Sequence, residues 1–249
     1  LQGDNTKAEE YYKTEVSLLR QHRRPQTDHR DIAYSLHGLG AFYDDIKQYN
    51  DAHDHLMEAL SMYQRIYGTD NPHQDIAGLL CDIGGHYFCI SDYHTAVDYS
   101  HRSLDMYKKI YGEDGCDRGM GTVLNNLGVS YGNLNKYDQE KKYLLQALVV
   151  RRKLYGETTN HIQIAHTLLS LGNNMAHVSD YDKALEYYRK SLDMYREIYG
   201  EDGCDEDMGA CLNNLGVCYG RLENMTLLWS MISKLLRCVR RFMDRTKTT

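Results

Sequence analysis

The residues of this chain that could do chemistry are twelve histidines, seven cysteines, two copied acidic loops and two asparagine pairs. The histidines, among them His53, His55, His86, His94 and His101, never take the His-Glu-x-x-His spacing that sets two imidazoles around a zinc ion. They are expected on solvated surface. Cys211 and Cys218 are seven residues apart on one helical face with no other ligand beside them. That fits buried apolar thiols better than a metal site or a nucleophile. The loops Gly112 to Asp117 and Gly200 to Asp205 both read Gly-Glu-Asp-Gly-Cys-Asp. Their carboxylates, Glu113, Asp114 and Asp117 and then Glu201, Asp202 and Asp205, lack the alternating oxygen ligands and closing glutamate of a calcium loop. Phosphate-binding loops, Gly-x-Ser-x-Gly elbows and carboxylate pairs in apolar settings are all missing from the sequence. No catalysis, cofactor or metal is expected.

The amides remain. Asn125 and Asn126 sit in the phrase Leu-Asn-Asn-Leu-Gly-Val-Ser-Tyr at 124–131, and Asn213 and Asn214 sit in its near copy at 212–219. An asparagine side chain both donates and accepts, so such pairs can bind the backbone of another chain or tie neighbouring helices of their own chain together. Both readings stay open at the level of sequence.

The elements that position these amides are repeated. Looser forms of the phrase surround Gly40, Gly84 and Gly172, and the glycines at 40, 84, 128, 172 and 216 step by 44 each time. A fixed period of that size means stacked supersecondary units, each burying its apolar face on its neighbours. Within a unit, Ala33, Leu36, Leu39, Gly40 and Tyr43 form the apolar stripe of a first helix running from Asp31 to about Asp45. A turn at Lys47 and Gln48 leads to a second helix from Tyr49 to Tyr67, with Ala52, Leu56, Ala59, Leu60 and Tyr63 on its stripe. Glycine within a helix costs about 1 kcal/mol relative to alanine. Its recurrence therefore implies close approach of the second helix, with Ala52, Ala96 and Ala184 as the small residues at the facing step. The Tyr-Gly pairs at 67–68, 111–112, 155–156 and 199–200 read as helix ends, with glycine in the left-handed conformation that closes the last turn.

These boundaries divide the chain into an array over 1–224 and a tail over 225–249. The array comprises a partial first unit, complete units 31–74, 75–118, 119–162 and 163–206, and the start of a fifth. Ala8 stands 44 residues before Ala52, so the chain opens inside a second helix that closes at Arg23, Arg24 and Pro25, and it reads as a fragment of a longer array. Ser103 to Tyr107 recurs 88 residues later as Ser191 to Tyr195, which points to duplication of unit pairs.

The net charge is −6, but the tail from Met225 carries six cations against Asp244 alone, net +5, leaving −11 on the remainder. An acidic array with a short basic tail is a poor nucleic-acid binder. In the tail, Leu228, Ile232, Leu235, Val239 and Phe242 line one face, with Lys234, Arg237, Arg241 and Arg245 opposite. Such a helix can cap the array, which is the reading we favour, or offer a basic amphipathic surface to an acidic membrane or a calmodulin-like partner, or be a poorly folded chain end. It is too short and too charged to span a bilayer, and it alone speaks for a membrane surface. An odd number of cysteines without a Cys-x-x-Cys pair suggests reduced thiols and a cytoplasmic setting.

The small-x-x-Leu-x-x-Leu-Gly-x-x-Tyr helix, the alanine-bearing second helix and the two-helix unit resemble tetratricopeptide repeats over roughly residues 8–224. The Leu-Asn-Asn-Leu phrase, the long second helix and the Tyr-Gly ending resemble the kinesin light chain and nephrocystin type of array. The resemblance implies an all-α, right-handed superhelical solenoid of antiparallel helix pairs. It places ligand contacts on the first helices, which line a concave groove. By position these are His37, Asp45, Asp82, Asn125, Asn126, Asn133, His177, Asn213, Asn214 and Arg221, with Asn173 one residue after its glycine. Arrays that grip a carboxylate terminus use lysine and arginine there, and only Arg221 qualifies here. The expected function is a protein-binding scaffold or adaptor that holds an extended, internal, neutral or basic peptide segment. The alternative is a regulatory or sensor module of a larger nucleotide-binding or motor-associated protein, in contact with that protein's other domains.

Overall fold

The computed structural model describes residues 2–22, 28–69, 71–200 and 206–246. Among them are eleven helices and no strand. The chain forms two compact units, Leu1–Leu134 and Asn135–Thr249. The first holds α1 (Gln2–His22), α2 (Arg30–Asp45), α3 (Tyr49–Tyr67), α4 (Gln74–Cys89), α5 (Tyr93–Tyr111) and α6 (Arg118–Asn133). The second holds α7 (Tyr137–Tyr155), α8 (Ile162–His177), α9 (Tyr181–Tyr199), α10 (Glu206–Arg221) and α11 (Met225–Thr246). Several features of the sequence reading lie outside the described residues: Arg23, Arg24 and Pro25, the second acidic loop at 201–205, and the side chains of Val239, Arg241, Phe242 and Arg245.

Within each unit, first and second helices form antiparallel hairpins stacked one on the next. The stripe expected of α2 is the face that is buried, through Ile32, Ala33, Leu36, Leu39, Gly40 and Tyr43. On α3 it is Ala52, Leu56, Ala59, Leu60 and Tyr63, joined by Met62. Each first helix ends on a non-glycine residue with positive φ, at Lys47 (62°), Ser91 (64°), Asn135 (57°), Ser179 (61°) and Glu223 (56°). Around Lys47 the bonds are those of a Schellman motif, with Lys47 N–H donating to Asp44 O at 3.0 Å and Gln48 N–H to Tyr43 O at 2.8 Å. The same pair of bonds recurs around Ser91, Ser179 and Glu223.

The left-handed closure expected of the Tyr-Gly pairs thus falls on the first helices instead. Gly68 has φ 90° and ψ 149°, and Gly112 has φ 84° and ψ 169°. These combine positive φ with an extended ψ, a region that only glycine enters easily, and they turn the chain out of the second helix without closing it. The next first helix then starts on a side-chain cap. His29, His73, Asp117 and His161, again 44 apart, each accept from the N–H two residues on. The Tyr67 ring stacks on His73 and the Tyr155 ring on His161, both with centroids 3.5 Å apart.

Close approach at the regularly spaced glycines is present, and the nearest side chains are those one turn beyond the alanines. A Cβ on Gly40 would lie 2.7 Å from Leu56 Cγ, and one on Gly84 would lie 2.7 Å from Ser100 Oγ and 3.2 Å from Ala96 O. The nearest side chain is thus one turn beyond the alanine. In α7 the alanine register is occupied by Glu140, which is buried and accepts from Asn174 Nδ2 at 2.8 Å. Arg151, also buried in α7, donates to Gln163 O at 2.7 Å, and burial lowers its pKa to about 10. On α11, Leu228, Met231 and Leu235 pack against the core of the second unit, so Met231 takes the place expected of Ile232.

Candidate functional site

In the first unit, α2, α4 and α6 lie side by side and their exposed edges enclose a cavity of about 380 Å³. Helix α2 contributes Asp44 and Asp45, α4 contributes Cys81, Asp82 and His86, and α6 contributes Asn125 and Asn126. The cavity brings together four of the residues expected in a groove, Asp45, Asp82, Asn125 and Asn126. Asn126 Nδ2 donates to Cys81 Sγ at 3.7 Å, across one repeat. His37 stands nearby, with Nε2 2.5 Å from Asp82 Oδ2.

His86 corrects the expectation that the histidines are solvated. It is 2% exposed, and its Nδ1 lies 2.7 Å from Asp44 Oδ1. Rings of Tyr49, His53 and Tyr87 surround it at 5.3–6.4 Å, which supplies the apolar contact that an imidazole body needs when it leaves water. Burial holds the Asp44 carboxyl above its ordinary range, against the opposing pull of the His86 bond. His53, His55 and His101 are half-buried, with His101 Nε2 2.9 Å from the Tyr131 hydroxyl, while His94 is exposed as expected. Asp45 and Asp82 are exposed, so the mouth of the cavity is acidic.

The second unit has its own cavity, about 230 Å³, between α8, α9 and α10. It gathers Asn173, His177, Asn214 and Arg221, with Tyr181 and Tyr188 from α9. Asn173 Oδ1 accepts from the Tyr188 hydroxyl at 2.8 Å and from Asn214 Nδ2 at 2.9 Å. This is the helix-tying use of asparagine between neighbouring repeats of the second unit, side by side with a groove position. The His177 ring stacks on Tyr137 at 5.2 Å. The cavity is edged by a cation, in contrast to the first.

Three of the expected residues, His37, Asn133 and Asn213, stay outside both cavities. Asn133 is exposed and donates to Val129 O of its own helix at 2.9 Å, and exposed Asn213 donates to Asn214 Oδ1 at 3.4 Å. The sequence reading missed Asp44, His86, Cys81 and Tyr188. A signal existed: cross-repeat partners are separated by nearly one period, as in His37–Asp82 (45), His86–Asp44 (42), Asn126–Cys81 (45) and Asn214–Asn173 (41).

Other chemistry-bearing residues have structural partners. Cys211 and Cys218 are buried, as expected, and burial pushes the Cys211 thiol up to about 12. In the first acidic loop, Glu113 pairs with Lys108 at 2.7 Å and Asp117 caps α6. Among the described residues, no helix is long and apolar enough to cross a membrane.

A tetratricopeptide repeat profile matches residues 119–197 and 163–226, and a second matches 32–73, together more than half of the chain. The chain belongs to the tetratricopeptide repeat family. The tetratricopeptide units pair helices as that family does, and such repeats generally mediate protein–protein interaction. None of the curated proteins compared matches this chain. Among solved structures it is similar to BtubC (BKLC) from P. vanneervenii, with TM-score 0.78 at 19% identity over 96% of this chain and 92% of that one. It is similar to the repeats of a putative kinesin light chain of Podosopora anserina, with TM-score 0.66 at 14% identity over 90% of this chain and all of that one. A Rap protein complexed with Competence and Sporulation Factor aligns with TM-score 0.69 at 15% identity, over 92% of this chain and 59% of that one. Likeness at these identities establishes the fold, which is that of kinesin light chain-like tetratricopeptide arrays.

Proposed function

We propose that this chain is a non-catalytic protein-binding scaffold whose first helices hold an extended peptide segment of a partner. The carrying observation is the cavity of the first unit, where three successive first helices bring Asp45, Asp82, Asn125 and Asn126 to one opening. Amides that both donate and accept suit a peptide backbone, and the carboxylates at the mouth suit a neutral or basic side chain and repel an acidic one. Each net hydrogen bond would contribute only about 0.5–1.5 kcal/mol, so affinity needs several positions engaged together. The Rap structure, complexed with Competence and Sporulation Factor, is one in which a similar fold accompanies a ligand. The buried, unshared thiols of Cys81, Cys211 and Cys218 suit a reducing, cytoplasmic setting.

The test is to pan a displayed library of random peptides against the protein and titrate the recovered peptides calorimetrically. They should be neutral or basic, and should bind the Asp45→Lys/Asp82→Lys variant at least about tenfold more weakly, as loss of one charge-assisted bond implies. Both carboxylates are exposed, so helicity should not change. Peptides that bind the variant equally well, or a library that yields none, would sink the proposal.

A further inference from the structure

Helix α11 occupies the place of a second helix, and its residues can be matched 44 by 44 with those of the other second helices. Trp229 corresponds to Leu185, Lys141, Val97 and His53, and Leu236 to Leu192, Leu148, Leu104 and Leu60. In α5 and α9 these residues are buried, Leu185 at 6%, Val97 at 8% and Leu104 and Leu192 at 4% exposed, as is Leu60 of α3, while His53 and Leu148 are half-buried and Lys141 is exposed. Leu192 lies in a core cluster with Met208, Cys211 and Leu212 of the first helix that follows it. On α11 the same face is open, with Met225 55%, Trp229 62% and Leu236 64% exposed.

The open face is a regular stripe. Met225, Trp229, Ile232 and Leu236 are spaced by four, three and four residues, and Val239 and Met243 continue the register in sequence. That alternation is the seam of a two-helix coiled coil, in which each residue enters a hole on a facing helix. It is separate from Leu228, Met231 and Leu235, which pack on the core. Helix α11 therefore carries two apolar stripes, one covered and one open at Met225, Trp229 and Leu236 with Ile232 half-buried between them.

The distribution of charge decides what can cover it. Residues 225–233 carry no charge, while 234–246 hold five cations against Asp244. A helix that lies on an anionic lipid surface borders its apolar face with lysine and arginine. Along the first half of this stripe the borders are instead Thr226 and Ser233 on one side and Leu228 and Leu235 on the other. A second α11 running antiparallel sets each uncharged half beside the other's basic half and keeps the cations apart. It also offers the same stripe in return, as a twofold interface requires.

The geometry points to a second copy of this chain as the occupant, the two α11 helices pairing through Met225, Trp229, Ile232 and Leu236 in a symmetric dimer. Trp229 is the only tryptophan in the chain, so its emission reports the interface directly. Sedimentation velocity and tryptophan emission are measured together from high to low micromolar protein. Dimers should give way to monomers on dilution while the emission moves to the red in step. Leu236→Glu should be monomeric and red-emitting throughout, with unchanged far-ultraviolet circular dichroism because Leu236 is exposed in the single chain. A wild type that stays monomeric at all concentrations overturns the inference, as does a dimer that survives Leu236→Glu. So does a monomer whose emission moves to the blue only when phosphatidylserine-containing vesicles are added, which would assign the stripe to lipid.

Discussion

Nδ1 of His86 lies 2.7 Å from Oδ1 of Asp44, and this contact joins two successive first helices at the wall of the first unit's cavity. The imidazole is almost wholly out of water, so the carboxylate is its means of satisfying that nitrogen. Asp44→Leu should cost about 1–3 kcal/mol by leaving the ring nitrogen without its acceptor. Asp44→Asn retains an acceptor and removes a carboxylate whose ionisation burial opposes, so it should stay within about 1 kcal/mol of wild type. Urea denaturation of both variants checks this, and equal losses would show that the bond is not what the site needs.

Glu140 gives a stability effect that depends on pH. It stands where Ala52, Ala96 and Ala184 stand in their units, and burial raises its pKa above the ordinary value, partly opposed by Asn174. A carboxyl whose folded pKa is raised favours the folded state while it is protonated. That contribution is complete below the unfolded pKa, about 4.3, and is lost as pH rises through the folded pKa. Glu140→Ala should therefore compare more favourably with wild type at neutral pH than in acid. Asn174 keeps a partner in the variant, since its Nδ2 also donates to Tyr137 O at 2.8 Å. Denaturant midpoints of both proteins across that range decide the matter, and a stability of the variant relative to wild type that is constant, or that improves toward acid, would refute it.

The repeated glycines should not respond alike to alanine. At Gly40 the added methyl would meet Leu56 Cγ at 2.7 Å and the Leu56 backbone nitrogen at 3.2 Å, and the backbone cannot swing aside. Gly40→Ala should cost about 1–3 kcal/mol. At Gly216 the nearest atom is Leu228 Cδ1 at 3.7 Å, an ordinary contact. Gly216→Ala should instead gain up to about 1 kcal/mol from helix propensity. Thermal melting of the two variants should move in opposite directions, and parallel shifts would contradict the packing difference.

Much of the architecture was legible because it repeats. The second helices begin at Tyr49 and end at Tyr67 as the Tyr-Gly pairs implied, since glycine at positive φ stops a helix whatever surrounds it. The caps at His29, His73, Asp117 and His161 carry the same 44-residue step but were not read, because histidine is a weak cap signal in sequence and its role here depends on an imidazole placed to accept from the N–H two residues on. Of the expected groove residues, Asp45, Asp82, Asn125 and Asn126 do meet in one unit, and Asn173, His177, Asn214 and Arg221 in the other.

By itself the sequence determined the period, the helix pairs and the apolar stripes, because those follow from local spacing that recurs until no other arrangement fits. The partner of each polar side chain was decided only by the tertiary structure. His86 finds Asp44 at a separation of 42 and His37 finds Asp82 at 45, although both fall near one repeat. Which of these offsets brings two side chains within reach depends on how one hairpin is set against the next, and local spacing does not fix that; the contacts of Leu56 with Gly40 and Ser100 with Gly84 fix only the fit of the two helices within a hairpin. The amides of Asn126 and Asn214 were visible as donors and acceptors. Packing then committed one to Cys81 and the other to Asn173, and left both at the edge of a cavity.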